Sequence, residues 1–425
     1  MPKQLCVFEH QKLRLGEQGF TKAHFDRLVQ WNEANGFKYF DTGNKSIKFS
    51  QYVGVIQVGD LVIEVLPKAD RSDNPNKWHH ALTEMLSIVH ELPLTPTTDS
   101  SLNRNRASIL DLFLALFVDD VHGLVRRGLV KRYHKHTSNQ LALRGRIHWP
   151  GHLRDNLVRK ERFHVNHQVY DTDHLVHALL KKALEIVEMN ASDPMIQNRA
   201  KDLDWAFEGV TEVPLTSHAL QRLKLDRKTQ PYSRAVQLAK LIVQAYAPDL
   251  SGGHMPLIGL LFDMNRLFER VVLKLLKRAA SEEAPALRIT GQESKEFWRD
   301  QKIYPDIVIR EGVNVCLIID TKWKVLNGDK PGDDDLKQMY VYNRQFGSVE
   351  SMLLYPGSQR FTAVESFKPD RLGHHQHGCS LACIELFNED GSLMREPMSL
   401  MIRRIMDGYR NPEDVTRVLA INSRH

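Results

Sequence analysis

Apolar positions recur along the chain in helical and strand periods, and the two alternate in blocks. "FTKAHFDRLVQWNEANG" (20–36) places Phe20, Phe25, Leu28, Val29 and Trp31 at near-helical spacing before a glycine stop. "YVGVIQVGDLVIEVLP" (52–67) is two β-branched runs around Gly59-Asp60, the signature of a hairpin. "KWHHALTEMLSIVHEL" (77–92) reads as an amphipathic helix and 107–130 as a long buried one. "RSDNPN" (71–76), "PLTPTTDSS" and "SGGH" (251–254) read as breaks. A helix over 171–190 is expected to be capped by Asp171 or Thr172, and another covers 233–246.

The last third repeats the alternation more sharply. "MNRLFERVVLKLLKRAA" (264–280) steps Leu267, Val271, Leu275 and Ala279 by four, with Phe268, Val272 and Leu276 beside them. Strands are expected near 286–290, 295–299, 304–310 and 314–320, a helix over 333–346, and strands near 350–355 and 380–387. Helix, strands, helix, strands is an α/β (α+β) arrangement with a mixed sheet flanked by helices. The pattern divides into an N-terminal mixed α/β region over 1–165 and a helical lead plus α/β domain over 166–425, with its core about 255–360.

Composition changes this picture little. The chain has 425 residues, 42% hydrophobic and 26% charged, enough apolar material for a sizeable core. Net charge is +6, which permits a polyanionic partner without pointing to one. Four scattered cysteines give no disulfide framework. The start "MPKQLCVFEH" has no apolar h-region. The longest apolar run, "LFLALFV" (112–118), is far short of the roughly 20 residues a bilayer needs. A cytoplasmic protein is expected, with no membrane partner.

Chemistry concentrates between 269 and 342. "YPDIVI" (304–309) puts Asp306 at a strand start, and "VCLIIDTKW" ends a buried strand on Asp320, Thr321 and Lys322. Residues two apart share a strand face, so Asp320 and Lys322 point the same way. If the two strands pair, Asp306 joins them. Two close carboxylates repel, and a cation between them lowers that cost. Mg²⁺ favours such oxygens together with waters and substrate phosphate, and a lysine beside it can act on the attacking water or on the phosphate. Gln338 and Tyr342 in "DLKQMYVYN" (335–343) share one helix face, and Glu269 lies on the helix preceding the sheet. Each residue also has a plain alternative: a surface acid, an exposed ion pair, a solvated helix face, a core tyrosine.

The ordered set "YVGVIQVGDLVIEVLPK" (52–68), "LRGRI" (143–147), "FDMNRLFERVV" (262–272), "YPDIVI", "IIDTKWK" and "DLKQMYVYN" resembles the McrC family, the nuclease subunit of McrBC-type, modification-dependent restriction systems. The resemblance implies a PD-(D/E)xK endonuclease fold at the C-terminus and DNA as substrate. It implies a Mg²⁺ site with Asp306 and Asp320 as ligands, completed by Thr321 through its carbonyl. It further implies Lys322 as the catalytic lysine, with Glu269 and Gln338 assisting. It also implies an AAA+ GTPase partner, a McrB-like hexamer ring, docked by the N-terminal region and stimulated by it. No G-x-x-x-x-G-K-[ST] occurs, so the chain is expected to bind no nucleotide itself and GTP falls to the partner.

Other features compete. "HHQHGCSLAC" (374–383) has cysteines at a zinc-like spacing, but a loop leading into a strand is the better reading. The basic stretch 126–167, with Tyr133, Trp149 and Phe163, suits a DNA backbone, a partner-facing arm or plain solvated surface. Two rival functions stay open: a stand-alone repair nuclease, and a non-catalytic activator of an AAA+ NTPase.

Overall fold

The structure is a computed structural model and describes residues 3–68, 74–92, 108–247, 255–326, 330–368 and 376–410. The loop read at 93–101 and the break at 251–254 lie outside these residues. The chain forms two compact units: one from 105–260 with the short piece 57–60, the other from 3–56, 61–104 and 261 onward. The expected boundary near 165 therefore falls inside the first unit, because the N-terminal strands and the C-terminal third fold together.

In the first unit, helices Ile109–Arg127, Leu175–Asn190, Pro194–Asp204 and Ser233–Ala245 pack on one another. A three-stranded antiparallel ribbon, Arg132–Gln140, Phe163–Asp171 and Arg146–Ile147, accompanies them. Two expectations are corrected here. The 171–190 helix starts at Leu175 with His174 at its N-cap, because Asp171 is taken up as the ladder partner of Arg132. Within the basic stretch, "LRGRIHW" (143–149) reads from its sequence as a strand, but only Arg146–Ile147 forms one; a helix begins at Trp149, capped by the His148 ring, which accepts from the Gly151 N–H.

In the second unit, Lys3–Phe8 runs parallel to Leu61–Leu66, from Lys3 opposite Leu61 to Phe8 opposite Leu66. Leu61–Leu66 pairs in turn with Tyr52–Val58, giving the expected hairpin. Both hairpin strands are buried along their whole length, which is why they read as continuous apolar runs. Helix Pro75–His90 belongs to the same unit.

The remainder of that unit is a helix-flanked mixed sheet. Helix α1 (Met264–Glu283) opens it, with Asp263 accepting from the Arg266 N–H at its N-cap. Strands β1 (Leu287–Gly291), β2 (Ile307–Glu311) and β3 (Asn314–Thr321) pair antiparallel. Helix α2 (Asp333–Phe346) crosses over to β4 (Glu350–Pro356), parallel to β3, and β5 (Gly378–Ile384) is parallel to β4. α2 carries three aspartates in its first turn, which suits the helix dipole, and ends on Gly347 in the left-handed region. Ile318 of β3, Met339 and Tyr342 of α2, Leu353 and Tyr355 of β4 and Cys379 of β5 form one buried cluster. A helix the sequence pattern left unread, Glu396–Arg410, follows. The α/β (α+β) class holds. Among the described residues, no helix is long and apolar enough to cross a membrane.

Candidate active site

β2 and β3 place Ile307 opposite Ile319, and one further step of that register sets Asp306 opposite Asp320. Pairing of the two strands, needed for the acids to meet, is present. Thr321 closes the junction. Its N–H donates to Asp306 Oδ2 at 2.8 Å and its hydroxyl to the same oxygen at 2.9 Å. Thr321, expected to offer its carbonyl, thus also fixes the Asp306 carboxylate through two donors.

Asp320 is buried at 2% exposure, and its Oδ2 lies 2.7 Å from the Lys322 Nζ. Lys322 Nζ is also 3.3 Å from Asp335 Oδ1 and donates to Gln338 Oε1 at 3.2 Å. Gln338 Nε2 donates to the Tyr342 hydroxyl at 2.7 Å, and that hydroxyl donates to the Tyr304 carbonyl at 3.0 Å. The two α2 residues therefore share a face as their spacing requires, and the chain of bonds holds the ammonium over Asp320. Tyr342 itself is core.

Glu269 is half-buried on α1 rather than on a solvated face. Gln292, just past β1, donates from one amide nitrogen to Glu269 Oε1 at 2.9 Å and Asp306 Oδ1 at 3.2 Å. Two members of the cluster, Gln292 and Asp335, escaped the sequence reading. Asp335 was within reach of it, since it lies three residues before Gln338 on the same helix face. Gln292 was not: it bridges the acids from a turn with φ of 53°.

The charges strain one another. Burial, and then the neighbouring Asp306, push the Asp320 carboxyl up to about 6. Burial also raises Asp306 against the pull of Thr321 and Lys322. Glu269 is raised by burial and by Asp306. Burial works against the Lys322 ammonium, but Asp320 and Asp335 outweigh it and hold its pKa above the ordinary lysine value.

The donor set fits a hard divalent cation. Its oxygens are carboxylates that repel when charged, and the buried Asp320 Oδ2 accepts no well-aligned hydrogen bond. The described residues hold no ready group of three or more His, Cys, Asp or Glu side chains around one point. Asp306 and Asp320 are a pair, with room in the inventory for waters, as Mg²⁺ prefers. In the 374–383 stretch, His374 and His375 lie outside the described residues. Cys379 and Cys383 sit in β5, and His377 is buried against Tyr340 and Phe367. A loop entering a strand is what the described part forms.

A buried Asp320 and a half-buried Asp306 thus stand together at the end of a mixed sheet, with Lys322 two residues beyond Asp320. The family model described as "McrBC 5-methylcytosine restriction system component" matches residues 47–356, and the chain belongs to that family. No curated protein matches. Among solved structures, the chain is similar to one from the refined half-complex of a tetradecameric assembly of Thermococcus gammatolerans McrB AAA+ hexamers with bound McrC. The TM-score is 0.67 and the identity 20%, over 95% of this chain and 100% of that one. A chain of the Thermococcus gammatolerans McrBC complex also matches, with TM-score 0.48 and 21% identity, over 65% of this chain and 88% of that one. The first likeness is one of fold.

Proposed function

We propose that this chain is the DNA-cleaving subunit of a modification-dependent restriction system, a PD-(D/E)xK endonuclease working with an AAA+ GTPase ring. The observation that carries the reading is the convergence of Asp306, Asp320 and Lys322, from two paired strands, with Gln338 and Glu269 from two helices. In this reading Asp306, Asp320 and the Thr321 carbonyl hold Mg²⁺. When bound, the cation lowers the pKa of its water and neutralises charge on the phosphodiester. Lys322, 2.7 Å from Asp320 Oδ2 and hydrogen-bonded to Gln338, would position the attacking water or stabilise negative charge building on the phosphate. Gln338 fixes that ammonium, and Gln292 aligns Glu269 with Asp306.

The AAA+ partner follows from family membership and from the absence of a Walker A sequence in this chain. Methylated and unmethylated plasmid, incubated with Mg²⁺ and with or without a McrB-like AAA+ GTPase and GTP, test the reading. Cutting of methylated DNA only when partner and GTP are present is the expected result. Cutting by this chain alone favours a stand-alone repair nuclease. Stimulated GTP hydrolysis without cutting favours a non-catalytic activator.

A further inference from the structure

Lys322 and Lys324 both reach Asp335, at 3.3 Å and 2.7 Å. Trp323 sits between them at the centre of a tight turn, in which the Lys324 N–H donates to Lys322 O. It goes to a different part of the same unit. Its indole Nε1–H donates to Glu9 Oε1 at 2.7 Å. Its ring lies 5.1 Å from Phe268, the neighbour of Glu269, and meets Trp78 edge-on at 6.3 Å.

Glu9 is an unusual partner. It follows the strand Lys3–Phe8, is 6% exposed, and its carboxyl is raised by burial. It also accepts from the Lys68 N–H at 2.8 Å, while its Oε2 takes no hydrogen bond. A buried carboxylate is costly unless its bonds are needed. Here they tie the ends of two N-terminal strands to the residue after the proposed catalytic lysine. The backbone around Lys322 leaves little slack: its N–H donates to Leu354 O at 2.8 Å, and Lys324 N–H donates to Lys322 O at 2.9 Å. A shift of the Trp323 ring is therefore passed to the Lys322 Cα, and through Phe268 to the helix carrying Glu269.

We propose that Glu9 and Trp323 are positioning residues for the cleavage site, so that the N-terminal strand layer is part of the catalytic unit. The proposal rests on the nuclease reading above. Neither residue touches the reacting groups; each acts through Lys322 and Glu269.

The test uses the full chain with its AAA+ partner, GTP, Mg²⁺ and methylated plasmid. Wild type is compared with Trp323→Phe, Glu9→Ala and Glu9→Gln. The glutamine keeps an oxygen for the indole, and the phenylalanine keeps a ring against Phe268. Because a misplacement of about 1 Å is enough to slow an enzyme strongly, Trp323→Phe and Glu9→Ala are expected to lower kcat about 10-fold with KM nearly unchanged. Glu9→Gln is expected to retain wild-type kcat. Melting temperature and stimulation of partner GTP hydrolysis should stay near wild type, and amide exchange should rise in the peptide around 318–326.

Wild-type kcat in Trp323→Phe, or Glu9→Gln falling as far as Glu9→Ala, overturns the proposal. So does a loss of kcat matched by loss of melting temperature and of GTPase stimulation, which assigns the pair to the fold alone. Asp320→Ala in the same assay separates the two claims. If it cuts like wild type, the nuclease reading fails; if it is dead while Trp323→Phe is normal, only the positioning claim fails.

Discussion

Strand β3 and the ribbon strand Arg132–Gln140 are similar in length, and both sit in antiparallel ladders, but they are built on opposite principles. In β3 the residues from Leu317 to Thr321 are buried, and the polar ones among them, Asp320 and Thr321, sit where the site needs them. In Arg132–Gln140 no residue is buried. Its ladder runs from Arg132 opposite Asp171 to Gln140 opposite Phe163, and its cross-strand neighbours are pairs such as Tyr133–Tyr170, with ring centroids 4.6 Å apart, and His136–His167 at 5.6 Å. β3 holds Asp320 in place because a core surrounds it. The ribbon keeps exposed aromatic and basic side chains available because no core claims them. Rigid placement suits chemistry on a phosphate; an exposed ladder held by pairwise contacts suits a surface that adapts to what it meets.

The comparison has energetic consequences. Ile318→Ala removes fully buried branches from the cluster around Met339, Tyr342 and Leu353 and should cost about 3 kcal/mol, read by urea unfolding. Tyr133→Ala on the ribbon, where the ring is 70% exposed, should cost below about 1 kcal/mol. Equal costs would erase the distinction between the two strands.

A second test concerns acid sensitivity in the helix Leu175–Asn190. His177 is buried, with Nδ1 donating to Thr172 O at 2.7 Å and Nε2 facing the Tyr232 hydroxyl at 3.4 Å. Burial, then His174, push its pKa down to about 4 from 6.5. A depressed folded-state pKa means the neutral ring stabilises above 6.5, and that stability is lost as pH falls toward 4. Going from pH 7 to pH 5 should therefore cost about 2 kcal/mol through this group. His177→Gln should remove that slope, measured by denaturant unfolding at both pH values with amide exchange over 175–190. An unchanged slope would place the acid sensitivity elsewhere.

The smallest effect lies at the edge of the site. Gln292→Ala leaves the proposed ligands in place but frees Glu269 and Asp306 from their shared donor. On the nuclease reading it should raise the Mg²⁺ needed for half-maximal cleavage about 10-fold. No change would reduce Gln292 to a turn residue.

Legibility in the sequence followed the same division. β3, α2 and α1 are readable because burial imposes a period: the expected helix over 333–346 matches Asp333–Phe346 at both ends. The ribbon was not readable as strands, since "RYHKHTSNQ" has no buried face and so no alternation. The cap at Asp171 or Thr172 failed for a related reason, because a polar ladder extended to Asp171 where composition suggested a helix start. In the site, Asp306, Asp320, Thr321, Lys322 and the Gln338–Tyr342 pair were legible from strand and helix spacing. Gln292, Asp335 and Glu9 were not found. The first depends on a left-handed turn, the second is one of three adjacent aspartates, and the third is brought to Trp323 across 314 positions of sequence.

The central claim is that Asp306, Asp320 and Lys322 form one cleavage site. It is tested most directly by single-turnover cleavage of methylated plasmid with Mg²⁺, the AAA+ partner and GTP, comparing wild type with Asp320→Ala. Loss of a metal-holding carboxylate should lower the cleavage rate on the order of 1000-fold while stimulation of partner GTP hydrolysis stays intact. Cleavage by Asp320→Ala at the wild-type rate would contradict the account and return these three charges to an ordinary strand end.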